Sequence, residues 1–234
     1  MSSSVELLSS GVSFSSLAEI SSSNQTSSSS SEESSSSVAI SYGTLTDTRD
    51  EQTYKTVLIG TQTWMAENLN YGTLDEEESW CYLLTENYCK TFGRLYSWTI
   101  AMGIDTSYNH ATLGASNSVQ GICPSGWHVP SSAEWDSLIN YVGGEDVAGI
   151  YLKATSSWRS KSGISNLDTY GFSALAGGTY NGLSEGSSNN GFWWMTTEYD
   201  AKNVYVIGFG YNTNAVVSYY DSKTTGHSLR CVED

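Results

Sequence analysis

Two short runs constrain this chain more than anything else in it. One is Cys123-Pro124-Ser125-Gly126-Trp127-His128-Val129-Pro130. The other is Gly226-His227-Ser228-Leu229-Arg230-Cys231. They read as two parts of one small domain, each carrying one cysteine. The chain has four Cys, with Cys81 and Cys89 close together and Cys123 and Cys231 far apart. None lies in a CxxC pair, and only three His are present, so a zinc site is not expected. An even count without metal spacing fits an oxidising compartment and two disulfides. The spacing favours Cys81 with Cys89 and Cys123 with Cys231, one of three possible connectivities.

The chain is not uniform. Ser fills 20 of the first 37 positions, with one aromatic, Phe14, and no Lys or Arg. Such a stretch buries too little apolar surface to offset the entropy of ordering it. Residues 1–41 are therefore expected to form a disordered, extended linker. Met1 runs directly into Ser2-Ser3-Ser4, with no basic and no apolar region, so no signal peptide is legible. All eight Trp and all sixteen Tyr lie from Tyr42 onward, in roughly 190 residues, enough for one domain with a sizeable core. That part holds 21 acids against 10 bases. The balance argues against nucleic acid, whose backbone is gripped by clustered Lys and Arg, and against an anionic membrane surface. No apolar run of about 18 residues is present, so no transmembrane segment is expected.

Along residues 42–234 the pattern mixes strands and helices. Residues 54–59 and 62–65 read as a strand pair turned at Gly60-Thr61. Residues 66–71 read as a loop with an inward Leu69, and the acids Asp75, Glu76, Glu77 and Glu78 as a solvated loop. Residues 92–102 are predicted to form a helix ended by Gly103. The polar residues 104–120 read as a long loop. Pro130 precedes Ser131-Ser132-Ala133-Glu134, a capping-box pattern followed by Trp135, Leu138, Ile139 and Val142 at helical spacing. A weaker helical turn covers 146–153. Residues 170–175 are β-like, and strands follow at 192–198, 204–209 and 215–220. Tyr211-Asn212-Thr213-Asn214 forms a hairpin turn, and 228–232 is the last strand. On Phe192-Trp193-Trp194, alternation lets only one Trp face a single core, leaving the other toward solvent or under a loop.

These landmarks resemble the Fibrobacter succinogenes major paralogous domain. The resemblance rests on Thr48 to Val57, on Ile59 to Tyr71, and on Gly93-Arg94-Leu95-Tyr96-Ser97-Trp98. It rests also on the Cys123 to Pro130 run, on Tyr170-Gly171-Phe172-Ser173-Ala174-Leu175, and on the Arg230-Cys231 ending. Each motif alone is weak, but six in order are specific. The family resembles C-type-lectin-like domains more distantly. That resemblance implies an α+β fold with two helices and small twisted antiparallel sheets, and a late disulfide for which Cys123 and Cys231 are placed. It further implies a secreted or bacterial cell-surface protein, with the Ser-rich start as a lipoprotein-like tether, and it supplies no catalytic residues. The family more often has Ser where this chain has Met195.

The late strands are the candidate binding face. Tyr180, Tyr199, Tyr211, Asn212, Asn214, Tyr219 and Asp221 are the chosen residues. Tyr and Trp offer large contact area at low entropic cost, and Asn offers adaptable hydrogen bonds. In lectin-like folds the corresponding late loops carry the ligand. Glu198 and Asp200, two apart, could share one side of a strand, with Asn203 and Asp221 nearby. Calcium needs about six to eight oxygens, so no metal or other cofactor is expected. The chain lacks GxSxG, and His128 reads as structural. The expected function is a non-enzymatic binding module for carbohydrate or a surface protein partner, as in adhesion. The alternatives are a structural subunit of a surface assembly or fibre, and a weak carbohydrate-active enzyme or accessory domain. The oligomeric state is not legible.

Overall fold

The computed structural model describes residues 39–72, 79–114 and 119–234. The linker expectation for residues 1–38 and the solvated-loop expectation for Asp75 to Glu78 lie outside the described residues, as do residues 115–118 of the expected long loop.

In chain order, β1 (Tyr42–Thr46), β2 (Thr53–Ile59) and β3 (Gln62–Met65) form an antiparallel meander. Ile59 pairs with Gln62, so Gly60 and Thr61 make the expected two-residue turn. Leu69 in the following loop is buried. Strand β4 (Ser79–Trp80), helix α1 (Glu86–Phe92), strand β5 (Leu95–Tyr96) and the single-turn α2 (Trp98–Ala101) come next. Strand β6 (Trp127–His128) leads through Pro130 to α3 (Ser132–Tyr141), and Gly143-Gly144 separates it from α4 (Glu145–Leu152). The short hairpin β7 (Thr179–Tyr180) and β8 (Ser184–Glu185) precedes the long strands β9 (Asn190–Glu198), β10 (Asn203–Gly210) and β11 (Val216–Ser222). The chain closes with β12 (His227–Ser228) and β13 (Val232–Glu233).

Two sheets carry most of this. One has the order β1-β2-β3-β13-β6, the other β11-β10-β9-β12-β5-β4. The architecture is α+β. Helix α3 has the capping box read from the sequence: the Ser131 hydroxyl accepts the Glu134 N–H, and the Glu134 carboxylate accepts the Ser131 N–H. Both expected disulfides are present, Cys81–Cys89 and Cys123–Cys231.

Four expectations need correction. First, 92–102 is not one helix, and four α-helices rather than two lie among the described residues. Gly93 has φ +75°, and a Cβ there would sit 2.6 Å from the Asn68 Cβ. The backbone is forced out of the helix at that point, and Leu95-Tyr96 instead pairs with His227-Ser228. Second, residues 228–232 are not one strand. β12 belongs to the larger sheet and β13 to the smaller, and the segment between them changes layer. Arg230 at this step is fully buried. It donates to Asn68 Oδ1 and to the carbonyls of Phe172 and Ser173, and a straight ladder strand could not present it to all three. Third, the β-like run 170–175 forms no strand. It makes one bridge, Ala174 to Lys153, while Phe172 and Ala174 fill the core.

The fourth correction concerns the core. Trp193 and Trp194 are both 0 % exposed. They do point to opposite faces of β9, but both faces are covered. Trp193, Met195, Ile207, Phe209 and Val216 pack on Trp135, Leu138 and Ile139 of α3 and on Leu152 of α4. Trp194, Val204 and Val206 pack on Tyr96, Trp98, Met102 and the Cys123–Cys231 pair. The larger sheet is therefore a middle layer, and a strand buried on both faces carries a continuous apolar run rather than an alternating one.

Candidate functional site

The second face of the middle sheet is not covered along its whole length. Trp194 lies under the layer formed by β5 and α2. One step back along β9, beside Phe192, that cover ends and a cavity of about 330 Å³ opens. Phe192, Tyr219 and Asp221 line it from the sheet. Thr179, Asn181, Glu185 and Gly186 line it from the β7–β8 hairpin and the turn after it, together with Asn190 and Thr225. The volume falls at the lower end of the range for small-ligand sites, about 300–1,000 Å³.

The floor is built by a missing side chain. Gly208 of β10 lies between Phe192 of β9 and Val217 of β11 in the pairing register. A Cβ at Gly208 would stand 2.9 Å from the Tyr219 ring and 3.1 Å from the Phe192 ring. Its absence lets the two rings meet over the strand, edge to face at 5.5 Å. Burial, with the neighbouring Asp221 charge, pushes the Tyr219 phenol well above its ordinary value, so it stays a neutral donor.

Asp221 is the fixed polar group of the site. Its Oδ2 lies 3.0 Å from His227 Nε2, and its Oδ1 accepts the Ser222 N–H and the Thr225 hydroxyl. Burial alone would raise its pKa. The hydrogen bond and charge of His227 and the other two donors outweigh that and hold the carboxyl below the usual range. His227 is fully buried between Phe192 and Trp194, and burial lowers its pKa while the hydrogen bond and charge of Asp221 oppose that shift. The carboxylate sets the imidazole proton on Nε2. Nδ1 lies 3.2 Å from the Thr179 hydroxyl, which donates to the Gly226 carbonyl at 3.0 Å. The side chain of Asp221 remains 34 % exposed and can take further donors from a ligand.

The expected binding residues divide into three places. Tyr219 and Asp221 line the cavity, and Tyr180 is the next residue after the lining Thr179, with its ring stacked on Trp80. Tyr199 stacks flat on Tyr220 at 4.0 Å and meets Tyr205 edge-on. Tyr205 and Tyr220 are paired across β10 and β11, and Tyr205 packs on the cluster containing Trp193, so this group lies on the opposite sheet face from the cavity. Tyr211, Asn212 and Asn214 sit in the β10–β11 turn. There Tyr211 lies under Arg159, and the Asn214 carbonyl accepts the Gly149 N–H of α4. Thr179, Asn181 and Glu185 of the β7–β8 hairpin, Asn190 at the start of β9 and Thr225 before β12 meet only in the folded chain. The Asn/Ser/Gly-rich composition of that stretch is the one signal that pointed near them.

Glu198 and Asp200 hold different partners. β9 ends at Glu198, whose carboxylate takes Lys223 Nζ at 2.6 Å and the N–H groups of Leu113 and Gly114. Asp200 caps the next turn through the N–H groups of Lys202 and Asn203. Among the described residues no group of three or more His, Cys, Asp or Glu is placed to hold a metal ion. His128 lies between Glu134 and Asp234, 2.7 Å from each, and ties β6 to α3. No helix among the described residues is long and apolar enough to cross a membrane.

A disulfide-bonded α+β domain with a polar, aromatic-floored cavity on a middle sheet is the class defined by this geometry. The family model of the Fibrobacter succinogenes major domain matches residues 57–233, and the chain belongs to that family. No curated protein and no solved structure matches the chain.

Proposed function

We propose that this chain is a secreted or cell-surface binding module of C-type-lectin-like architecture that holds carbohydrate in the cavity over Phe192 and Tyr219. The observation that carries this reading is the cavity's make-up: two aromatic rings, an ionised and oriented Asp221, and the side-chain amides of Asn181 and Asn190 in one space of about 330 Å³. Sugars offer C–H faces to rings and alternating hydroxyls to carboxylates and amides. The extracellular placement is supported by the pairing of every cysteine. The lectin-like architecture is supported by the early strand β1 and the late strand β13 sharing one sheet, and by the late Cys123–Cys231 bridge. Adhesion to plant cell-wall polysaccharide is the biological form of this reading.

The test is calorimetric titration of the full chain with a panel of neutral oligosaccharides. Saturable binding that Tyr219→Ala and Asp221→Asn each weaken at least tenfold supports the reading. Absence of binding across the panel shifts weight to a protein partner or a surface assembly. A second reading, a weak hydrolase, draws on the line Thr179–His227–Asp221 at the cavity wall. It requires turnover of an ester or glycoside substrate that is lost in Thr179→Val.

A further inference from the structure

We infer that the ligand of this cavity carries a protonated amine, so that among sugars it prefers amino sugars to neutral ones and rejects uronic acids. This rests on the carbohydrate reading above and extends it to the ligand's charge. The cavity wall holds two carboxylates, Glu185 and Asp221, and none of its lining residues is Lys, Arg or His. Asp221 is not a neutral acid here, since three internal donors hold it ionised. His227, the one basic side chain in contact with it, is fully buried behind Asp221 and does not line the cavity. A ligand in the cavity therefore meets two carboxylates and no base.

The remaining lining groups point the same way. Phe192 and Tyr219 attract a cation at their ring faces. The Asn and Thr side chains serve hydroxyls of either kind of sugar. Beyond the cavity, the part of the chain from Tyr42 onward has 21 acids against 10 bases, and such a field concentrates cations at an acidic recess. A neutral sugar gains ordinary hydrogen bonds from Glu185 and Asp221. An ammonium gains charge-assisted bonds, which are roughly twice as strong. A uronate meets two like charges with no cation between them. The expected order is amino sugar, then neutral sugar, then acidic sugar.

The experiment is titration of the full chain, at low salt, with four oligomers of equal length: glucosamine, N-acetylglucosamine, glucose in cello-linkage and galacturonic acid. A lysine oligomer serves as a cation without sugar rings. The glucosamine oligomer is expected to bind about tenfold tighter than either neutral oligomer, a difference that shrinks as salt is raised. The galacturonic oligomer should show no binding. Glu185→Gln should cut the ratio of glucosamine to cello-oligomer affinity at least threefold, with unchanged thermal unfolding showing that the variant is folded. Neutral oligomers binding as tightly as glucosamine would overturn the amine inference and leave the carbohydrate reading standing. No binding by any sugar would overturn both. A lysine oligomer matching glucosamine would reduce the site to a simple cation trap and overturn the amino-sugar assignment.

Discussion

Replacing Lys223 with Met should be among the most destabilising single changes available in this domain. Lys223 is fully buried. Its ammonium donates to the carbonyls of Tyr108 and Ala111 at 3.0 and 2.7 Å and to Glu198 Oε1 at 2.6 Å, and it lies 4.5 Å from the Trp98 ring centre. Glu198 in turn holds the N–H groups of Leu113 and Gly114. One cation thus pins residues 108–114 to the end of β9. Met fills similar space but leaves a buried carboxylate without its counter-charge and two carbonyls without a donor. Breaking a buried pair by removing one partner costs about 3–5 kcal/mol. At roughly 2–4 °C per kcal/mol for a domain of this size, the midpoint should fall by about 6–20 °C. Urea unfolding followed by tryptophan fluorescence measures the loss, and hydrogen exchange should show Leu113 and Gly114 unprotected. The double variant Lys223→Met with Glu198→Gln should recover at least about 1 kcal/mol relative to additivity. A single-variant loss under about 1 kcal/mol, or strict additivity, would refute the reasoning.

Three further outcomes are expected. Removing the Cys123–Cys231 bridge, whose ends are 108 residues apart, should cost about 2–5 kcal/mol in urea unfolding, and a loss below about 1 kcal/mol would contradict its role. Lys153 is buried, its ammonium bonded to the Gly210 and Thr213 carbonyls and 5.3 Å from the Trp158 ring centre, and desolvation lowers its pKa from 10.5 to about 8. Between those two values the unfolded chain binds the proton and the folded chain does not, so stability rises with pH. The stability of the native protein minus that of Lys153→Met should climb by up to about 1.4 kcal/mol per pH unit from about pH 8 to 10.5, and a flat difference would contradict the desolvated lysine. Gly208→Ala should push the Tyr219 and Phe192 rings apart, costing about 1–3 kcal/mol in stability. It should also weaken oligosaccharide binding at least fivefold, and unchanged affinity would argue against the cavity as the site.

Much of the local structure was legible in the chain. Ser131 and Glu134 announce α3 and Gly60-Thr61 the β2–β3 turn, because each depends on neighbours in sequence, and the close spacing of Cys81 and Cys89 leaves the distant Cys123 and Cys231 to each other. The break at Gly93 was not legible, since it is forced by Asn68 and rewarded by pairing with His227-Ser228 far down the chain. The double burial of Trp193 and Trp194 was missed for a related reason: alternation counts faces but not the layers that cover them. The site was half legible. Tyr219 and Asp221 stand out in an aromatic, amide-rich stretch, whereas Thr179, Glu185 and Thr225 look ordinary until the β7–β8 hairpin and the turn before β12 carry them to the same recess. Tyr199 shares that composition yet lies across the sheet.

The central claim is that ligand binds over Phe192 and Tyr219. Backbone amide NMR of the full chain, titrated with the tightest-binding oligosaccharide, tests it most directly. The account predicts shift changes concentrated at Thr179, Asn181, Asn190, Tyr219 and Asp221, with Tyr199, Tyr205 and Tyr220 still. Changes confined to Tyr199, Tyr205 and Tyr220 would place binding on the opposite face and contradict it.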